Sequence, residues 1–435
     1  MFGYYFKLAL RSFGRNKVLT ALMVLAVGLG IGASMTTLTV YHVLSGNPIP
    51  QKSDRLFYVQ LDPQPLSDYE PGAEPDQQLT RFDAEALLQQ ARGKRQALTT
   101  GGMTVIEPEA AGLNPFQVDT RYASGDFFPM FDVPMLHGRG WGKAEDDGRA
   151  RVAVLSKVLN DKLFGGADST GRTLRVDGQP FRIVGVIDTW RPNPRFYDVN
   201  SGPYRASDDL FVPFSTAMDL QLALRGWMNC FSQGAPDPDP TALSASCTFL
   251  AYWVELEQPS DAATYKAYLD NYSAQQRAAG RYKRPDNTRL RDVMEWLRFR
   301  DVVPSDVRLQ MWLAMSFLGV CLLNTVGLLL AKFLRRSGEI GVRRALGASR
   351  RAIFAQCLVE AGTVGMAGGV LGLGLALLGL VAVRRQPVGY ASLAHLDATM
   401  LAVTFGVALL ASVLAGLLPA WRAMQVPPAL QLKSQ

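Results

Sequence analysis

The sequence predicts a membrane protein in which four transmembrane helices carry a large α+β domain of two subdomains, exposed on the outward side between helices 1 and 2. Three observations lead there. Four windows, residues 18–43, 309–333, 352–383 and 396–420, are apolar over the about 20 helical residues that cross a hydrocarbon core. Basic residues cluster at the ends of those windows. The stretch 44–308 is polar, holds most of the Asp and Glu, and alternates short β-rich runs with turns. A 48% apolar content over 435 residues agrees, being too high for an ordinary soluble chain and too low for a bundle of spans alone.

Residues 1–17 read as a cytoplasmic interfacial helix: Phe2, Phe6, Ala9, Leu10 and Phe13 share one helical stripe, with Lys7, Arg11 and Arg15 largely opposite. The first span follows at 18–43. A cleaved signal peptide shares the pattern of charged start and apolar run, but this run far exceeds the 7 to 15 residues of a signal core, which favours a retained span. Orientation comes from the cations, because Lys and Arg near span ends stay inside. Lys7, Arg11, Arg15 and Lys17 precede the first span; Lys332, Arg335, Arg336, Arg343, Arg344, Arg350 and Arg351 follow the second; Arg422 and Lys433 follow the fourth. Both termini and the segment 334–351 are therefore expected in the cytoplasm, with 44–308 and the loop 384–395 outside. The net charge of +7 is a topology signal. It does not indicate nucleic-acid binding, because the cations flank spans instead of lining one soluble face.

In the outward stretch, "SDRLFYVQLD" alternates like a strand, "RFDAEALLQQAR" has helical spacing and "GGMTVIEP" is β-rich. A β-rich inserted subdomain is expected over about 118–212, where Asp177-Gly178 is a two-residue hairpin signal. "TFLAYWVELE" reads as a strand and "AATYKAYLDNYSAQQRAAG" as a helix, while 190–209 and 227–247 are rich in turn residues and look like long loops. Cys230 and Cys247 lie in this outward region, where an oxidising compartment permits a disulfide; Cys321 and Cys357 fall within spans.

Within the spans, Gly28 and Gly32 form one small-xxx-small pair and Gly365, Gly368, Gly369 and Gly372 form overlapping ones, spacing that lets helices approach closely; ordinary glycine tolerance in membrane helices is the plain alternative. Apart from Glu360, near the inner end of the third span, no ionisable residue lies deep in any span, which argues against an ion-driven carrier or a channel. No GxxxxGK[ST] loop is present, so these residues hold no P-loop nucleotide site. The three histidines, His42, His137 and His395, show no metal-ligand spacing, and no G-x-S-x-G elbow appears. "GLGIG" at 28–32 lies inside a span and reads as helix packing. No catalytic residue, metal or cofactor is expected.

Between the second and third spans, "RRSGEIGVRRALGASRRAIF" at 335–354 carries six arginines and one acid, Glu339. Ser337 is placed to cap a short helix, Val342, Ala345 and Leu346 form an apolar patch at i, i+3, i+4 spacing, Gly347 can end the helix in the left-handed region, and Ser349 can cap the next. A solvated basic loop that only anchors topology is the alternative.

"GEIGVRRALGASRRAIFAQCLVEA" closely resembles the coupling-helix signature of the MacB/FtsX/LolC permeases of ABC transporters, and "LLPAWRAMQVPPALQLK" resembles their usual ending. "DFFPMFDVPMLHGRGW", "RVAVLSKVLNDKLFGG" and "STGRTLRVDGQPFRIVGVID" resemble the MacB-type periplasmic core domain, while 190–209 and 227–247 depart from the family pattern. The resemblance implies a bacterial inner-membrane permease that pairs with a second copy or a paralogue. ATP would be bound by a separate ABC ATPase subunit contacted through Glu339, Arg343, Arg344, Ala345, Leu346 and Gly347. It implies mechanotransmission driving efflux of a peptide, antibiotic or similar compound, with a periplasmic adaptor and outer-membrane duct as further partners. Lipoprotein release and nontransporting control of a cell-wall hydrolase are the alternatives within the family.

Overall fold

The computed structural model describes residues 2–15, 17–67, 69–108, 113–231 and 238–425. It divides into one unit formed by Met1–Ser45 with Val303–Gln435 and another formed by Gly46–Val302. The chain opens with α1 (Phe2–Arg15) and α2 (Lys17–Ser45). Ala9 and Ser12 of α1 are buried and Phe13 is half-buried against the helical core, so that part of the amphipathic stripe packs on protein. The side chains of Phe2, Phe6, Lys7, Leu10 and Arg15 lie outside the described residues.

The second unit contains β1 (Leu56–Gln60), α3 (Arg81–Gln90), β2 (Arg95–Glu107), β3 (Phe116–Ala123), β4 (Met135–Gly138), β5 (Val152–Ser156), α4 (Lys157–Phe164), β6 (Thr173–Val176), β7 (Gln179–Ile187), β8 (Leu210–Pro213), β9 (Cys247–Glu255), α5 (Ala262–Ala278), β10 (Arg289–Asp292) and α6 (Val293–Phe299). Local chemistry sets many of these boundaries. Thr80 and Ser156 accept hydrogen bonds from the Asp83 and Leu159 amides and so cap α3 and α4. Asp177 and Gly178 take φ of +46° and +76° and close the tight turn between β6 and β7, as the sequence predicts.

The principal sheet runs β10-β1-β9-β2-β3-β8-β5-β7-β4. Its pairs are antiparallel except β3 with β8 and β5 with β7. The segment 118–212, expected as a β-rich inserted subdomain, joins the same sheet through β3 and β8. β9 lies inside the sheet, third from one edge, with every residue buried, which explains the apolar run from Phe249 to Val254. Leu98, Tyr122, Leu155, Ile183, Val212 and Tyr252 belong to one continuous core. Burial of each such side chain contributes about 1.5–3 kcal/mol.

The stretch 190–209 is not the open loop its composition suggests. It contains two short 3-10 turns over Phe196–Ser201, broken by a kink at Asp198, and buries Arg195, Phe196, Tyr197, Asp198 and Asp208. Arg121 of β3 reaches this stretch: its Nε donates to Asp208 Oδ2 at 3.0 Å and its Nη2 donates to Asp198, while Arg195 Nη2 donates to Asp198 Oδ2 at 2.8 Å. Two guanidiniums and two carboxylates thereby neutralise one another in the interior, as buried charges must.

In the other turn-rich stretch, Asn229–Cys230 pairs with the start of β9 and places Cys230 opposite Cys247, to which it is bonded. Replacing both cysteines by Ser is expected to destabilise the outward domain by about 3 kcal/mol, the chain-entropy value for a loop of this length. Urea unfolding of the full chain in detergent, followed through the buried Trp253 and Trp296, measures it. Two free thiols in the nonreduced protein would contradict the bond.

The chain returns to the first unit with α7 (Ser305–Arg335), α8 (Ser337–Ala345), α9 (Arg350–Arg384) and α10 (Ala398–Met424). α2, α7, α9 and α10 are each long and apolar enough to cross a membrane. They overrun the expected windows by a few residues, except that α10 starts later, where the Asp397 carboxylate accepts from the Met400 amide. α2 packs against both α7 and α9, and α10 against α7 and α9. A Cβ on Gly28 or Gly32 would meet Leu371 Cδ2 at 2.8 Å or Leu375 Cβ at 2.7 Å of α9. One on Gly365 would collide with the Ser412 side chain of α10, and one on Gly369 would meet Ala408 Cβ at 2.8 Å. Small residues therefore set the contacts of α9 with α2 and with α10. Leu25, Leu323, Leu378 and Leu410 stand exposed on the four helices, the surface expected of spans bathed in lipid.

Candidate functional site

Only Arg336 separates α7 from α8. Ser337 is therefore the first residue of α8 and not its cap, contrary to the sequence expectation; the cap position falls on Arg336, which makes no side-chain cap bond and whose carbonyl accepts from the Ile340 amide at 3.0 Å. The far end follows the pattern read from the sequence. Gly347 takes φ of +99°, a conformation that penalises any side chain, and Ser349 accepts from the Ala352 amide to start α9. The result is a short helix held at both ends by long apolar ones.

Beneath α8 lies a set of buried charges. Lys332 of α7 has no exposed surface and places Nζ 2.8 Å from Glu360 Oε1 of α9 and 3.4 Å from Thr20 Oγ1 of α2. Glu360 also accepts from Arg336 Nη1, at 3.2 Å on Oε2, and from Ser12 Oγ of α1. Arg336 in turn bridges to α8, with Nε 3.4 Å from Glu339 Oε2, and Arg343 Nη2 lies 3.3 Å from Glu339 Oε1. Arg343 Nη1 donates to Gln356 Oε1 at 2.9 Å on α9, and Arg344 Nη1 to the Met424 carbonyl at 3.4 Å on α10. Displacing α8 must therefore disturb groups on α1, α7, α9 and α10, because a buried cation and carboxylate tolerate separation poorly.

The six residues expected to contact an ATPase divide into two sets. Glu339, Arg343 and Arg344 are half-buried and tie α8 to its neighbours, whereas Ala345, Leu346 and Gly347 are exposed, Leu346 at 83%. With Val342, also exposed, Leu346 offers an i, i+4 apolar pair on the free face. Sequence reasoning missed Ser12, Lys332 and Arg336. The signal was present in the lone acid of the third span, Glu360, and in two cations four residues apart at the end of the second. Among the described residues, no group of three or more His, Cys, Asp or Glu is placed to hold a metal ion.

Residues 20–272 match the family described as MacB-like periplasmic core domain, and residues 311–428 match FtsX-like permease C-terminal. The chain is 24% identical over 440 residues to the pyoverdine export ATP-binding/permease protein PvdT of Pseudomonas fluorescens, covering 97% of this chain and 58% of that protein. It is 24% identical over 442 residues to the macrolide export ATP-binding/permease protein MacB of Marinobacter nauticus, covering 99% and 60%. The chain thus spans about three-fifths of the length of these relatives. Among solved structures, the periplasmic region of MacB from Actinobacillus actinomycetemcomitans aligns with a TM-score of 0.37 at 13% identity, covering 59% of this chain and 97% of that one.

Proposed function

The chain belongs to the MacB-like family of ABC transporter permeases, with its periplasmic core domain and FtsX-like permease domain, and on that footing we propose that it converts ATP-driven motion at α8 into a shape change of its outward domain. The observation that carries this reading is the construction of α8: an exposed apolar face on one side and, on the other, hydrogen bonds to α9 and α10 and an ion pair to Arg336, which itself pairs with Glu360 of α9. No P-loop occurs in these 435 residues, so nucleotide is held by an ABC ATPase outside them that docks on Ala345, Leu346 and Gly347, with Arg343 and Arg344 positioning the helix. The orientation puts α8 and both termini on the cytoplasmic side of a bacterial inner membrane, following the cation distribution. Two permease chains act together, and the work is done on a peptide, antibiotic or similar compound already outside. The relatives' names, which speak of macrolide and pyoverdine export, support that class of cargo. An adaptor and an outer-membrane duct complete the path.

The experiment is capture of the ATPase by the tagged chain, scored by its P-loop peptides. Leu346→Asp puts a carboxylate into the proposed docking face at a position whose side chain supports nothing internal. Association is expected to weaken about 30-fold, the loss of a central interface position, with the chain still folded. Unchanged capture by this variant would overturn the docking assignment.

A further inference from the structure

An open cleft of about 450 Å³ lies in the outward domain, lined by Asp76, Gln77, Asn200, Trp227, Asn229 and Arg300 among others. Its volume is in the range of small-molecule sites. Its chemistry is unusual for this domain in one respect: Arg300 is a half-buried cation that makes no salt bridge among the described residues, with the Asp76 carboxylate acting on it only at longer range. The Nε and Nη1 of Arg300 are shielded from solvent, and neither has a hydrogen-bond partner among the described residues. Arg121, Arg195, Arg284 and Arg291 of the same domain each pair with a carboxylate.

The nearest candidate, Asp76, is committed elsewhere. Its Oδ1 accepts from the Gln78 amide at 3.0 Å and its Oδ2 from Asn229 Nδ2 at 3.0 Å. The Arg300 guanidinium is held in place from below, 5.4 Å over the Trp296 ring, which itself stacks on Tyr58 at 3.8 Å. Burial lowers the Arg300 pKa, so the charge is maintained at a cost that a bound anion would relieve.

The other wall is Trp227, 67% exposed, the largest apolar surface a single residue can offer a ligand. It stands three residues before the disulfide-bonded Cys230, so the loop that bears it is pinned to β9 beside the cleft. Asn200 comes from 190–209 and Trp227 and Asn229 from 227–247, the two stretches rich in turn residues.

We propose that this cleft binds a small monocarboxylate bearing an aromatic or bulky apolar group, with the carboxylate at Arg300 and the apolar group on Trp227. A single negative charge is required because the Asp76 carboxylate stands in the same cleft and would repel a second. The inference does not depend on the permease reading, since equilibrium binding needs neither ATP nor a partner.

The test uses the full chain in detergent at pH 7, with N-acetylphenylalanine as probe and N-acetylphenylalaninamide as its uncharged control, measured by titration calorimetry. The acid is expected to bind and the amide to bind at least about tenfold more weakly, the loss expected when a charge-assisted hydrogen bond is removed. Arg300→Gln and Trp227→Ala should each weaken the acid by a similar factor. Trp227 is exposed, so its variant keeps the test valid if Arg300→Gln disturbs the fold. No binding of the acid, equal binding of acid and amide, or undiminished binding in Trp227→Ala would overturn the proposal.

Discussion

Arg121→Met is expected to destabilise the outward domain by about 3–5 kcal/mol, because it strands two buried carboxylates on one remaining guanidinium. Arg121, Asp198 and Asp208 are all nearly inaccessible to water, so solvent cannot stand in for the lost partner. The same cluster sets a pH dependence. Burial alone would raise the Asp198 and Asp208 pKa values, but Arg121 and Arg195 outweigh it and hold both carboxyls below the ordinary range. An acid whose pKa is depressed on folding stabilises the fold above its unfolded value, about 3.9, and loses that contribution as the pH falls toward the folded one. The deficit of Arg121→Met should therefore be largest near pH 7 and shrink below about pH 4.

Asp146 has the opposite sign. Burial pushes its carboxyl up to about 6, against the hydrogen bond it accepts from the Gly125 amide. Relative to Asp146→Asn, the wild-type chain should gain stability as the pH falls from above 6 toward 4. Urea midpoints at pH 3.5, 5 and 7 read both profiles. A deficit in Arg121→Met that grows on acidification would contradict the arrangement.

Glu360→Leu is the second large effect, expected to cost about 3–5 kcal/mol by leaving Lys332 charged and unpaired in an apolar interior. The double variant Lys332→Met/Glu360→Leu removes both ends of that pair and should recover most of the stability, since a buried ion pair is often replaceable by apolar side chains. If the pair also transmits motion, the recovered double variant should still bind the ATPase yet fail to show nucleotide-dependent changes outside. Thermal unfolding of the two variants in detergent separates these effects. Equal loss in the single and double variants would show that packing, and not charge, holds this region together.

The spans were legible because the bilayer fixes their length and composition, and the hairpin at Asp177-Gly178 because only a few residues fit that backbone. What escaped reading depends on partners distant in sequence. Pro, Asn and Asp in 190–209 announce turns, but nothing local says that Asp198 and Asp208 will meet Arg121 on β3. Likewise the role of Glu360 is invisible until α1 and α7 bring Ser12, Lys332 and Arg336 to it. Glu339 and Arg343 look alike from sequence as docking charges, yet they bond each other across one helical turn and hold α8 in place. The exposed Leu346 was legible as an apolar position at helical spacing, while its freedom from internal contacts required the fold.

Movement of α8 is expected to change the outward domain. Val158 on α4 is 73% exposed, and the natural cysteines are either bonded to each other or buried in the spans. Val158→Cys therefore gives a single accessible labelling site, and the distance between the labels of two chains in the assembled permease and ATPase can be measured by pulsed electron resonance with and without ATP. The distance distribution is expected to shift with nucleotide and no longer to shift in Leu346→Asp. The same distribution in both nucleotide states, while the bound ATPase hydrolyses ATP, would contradict it.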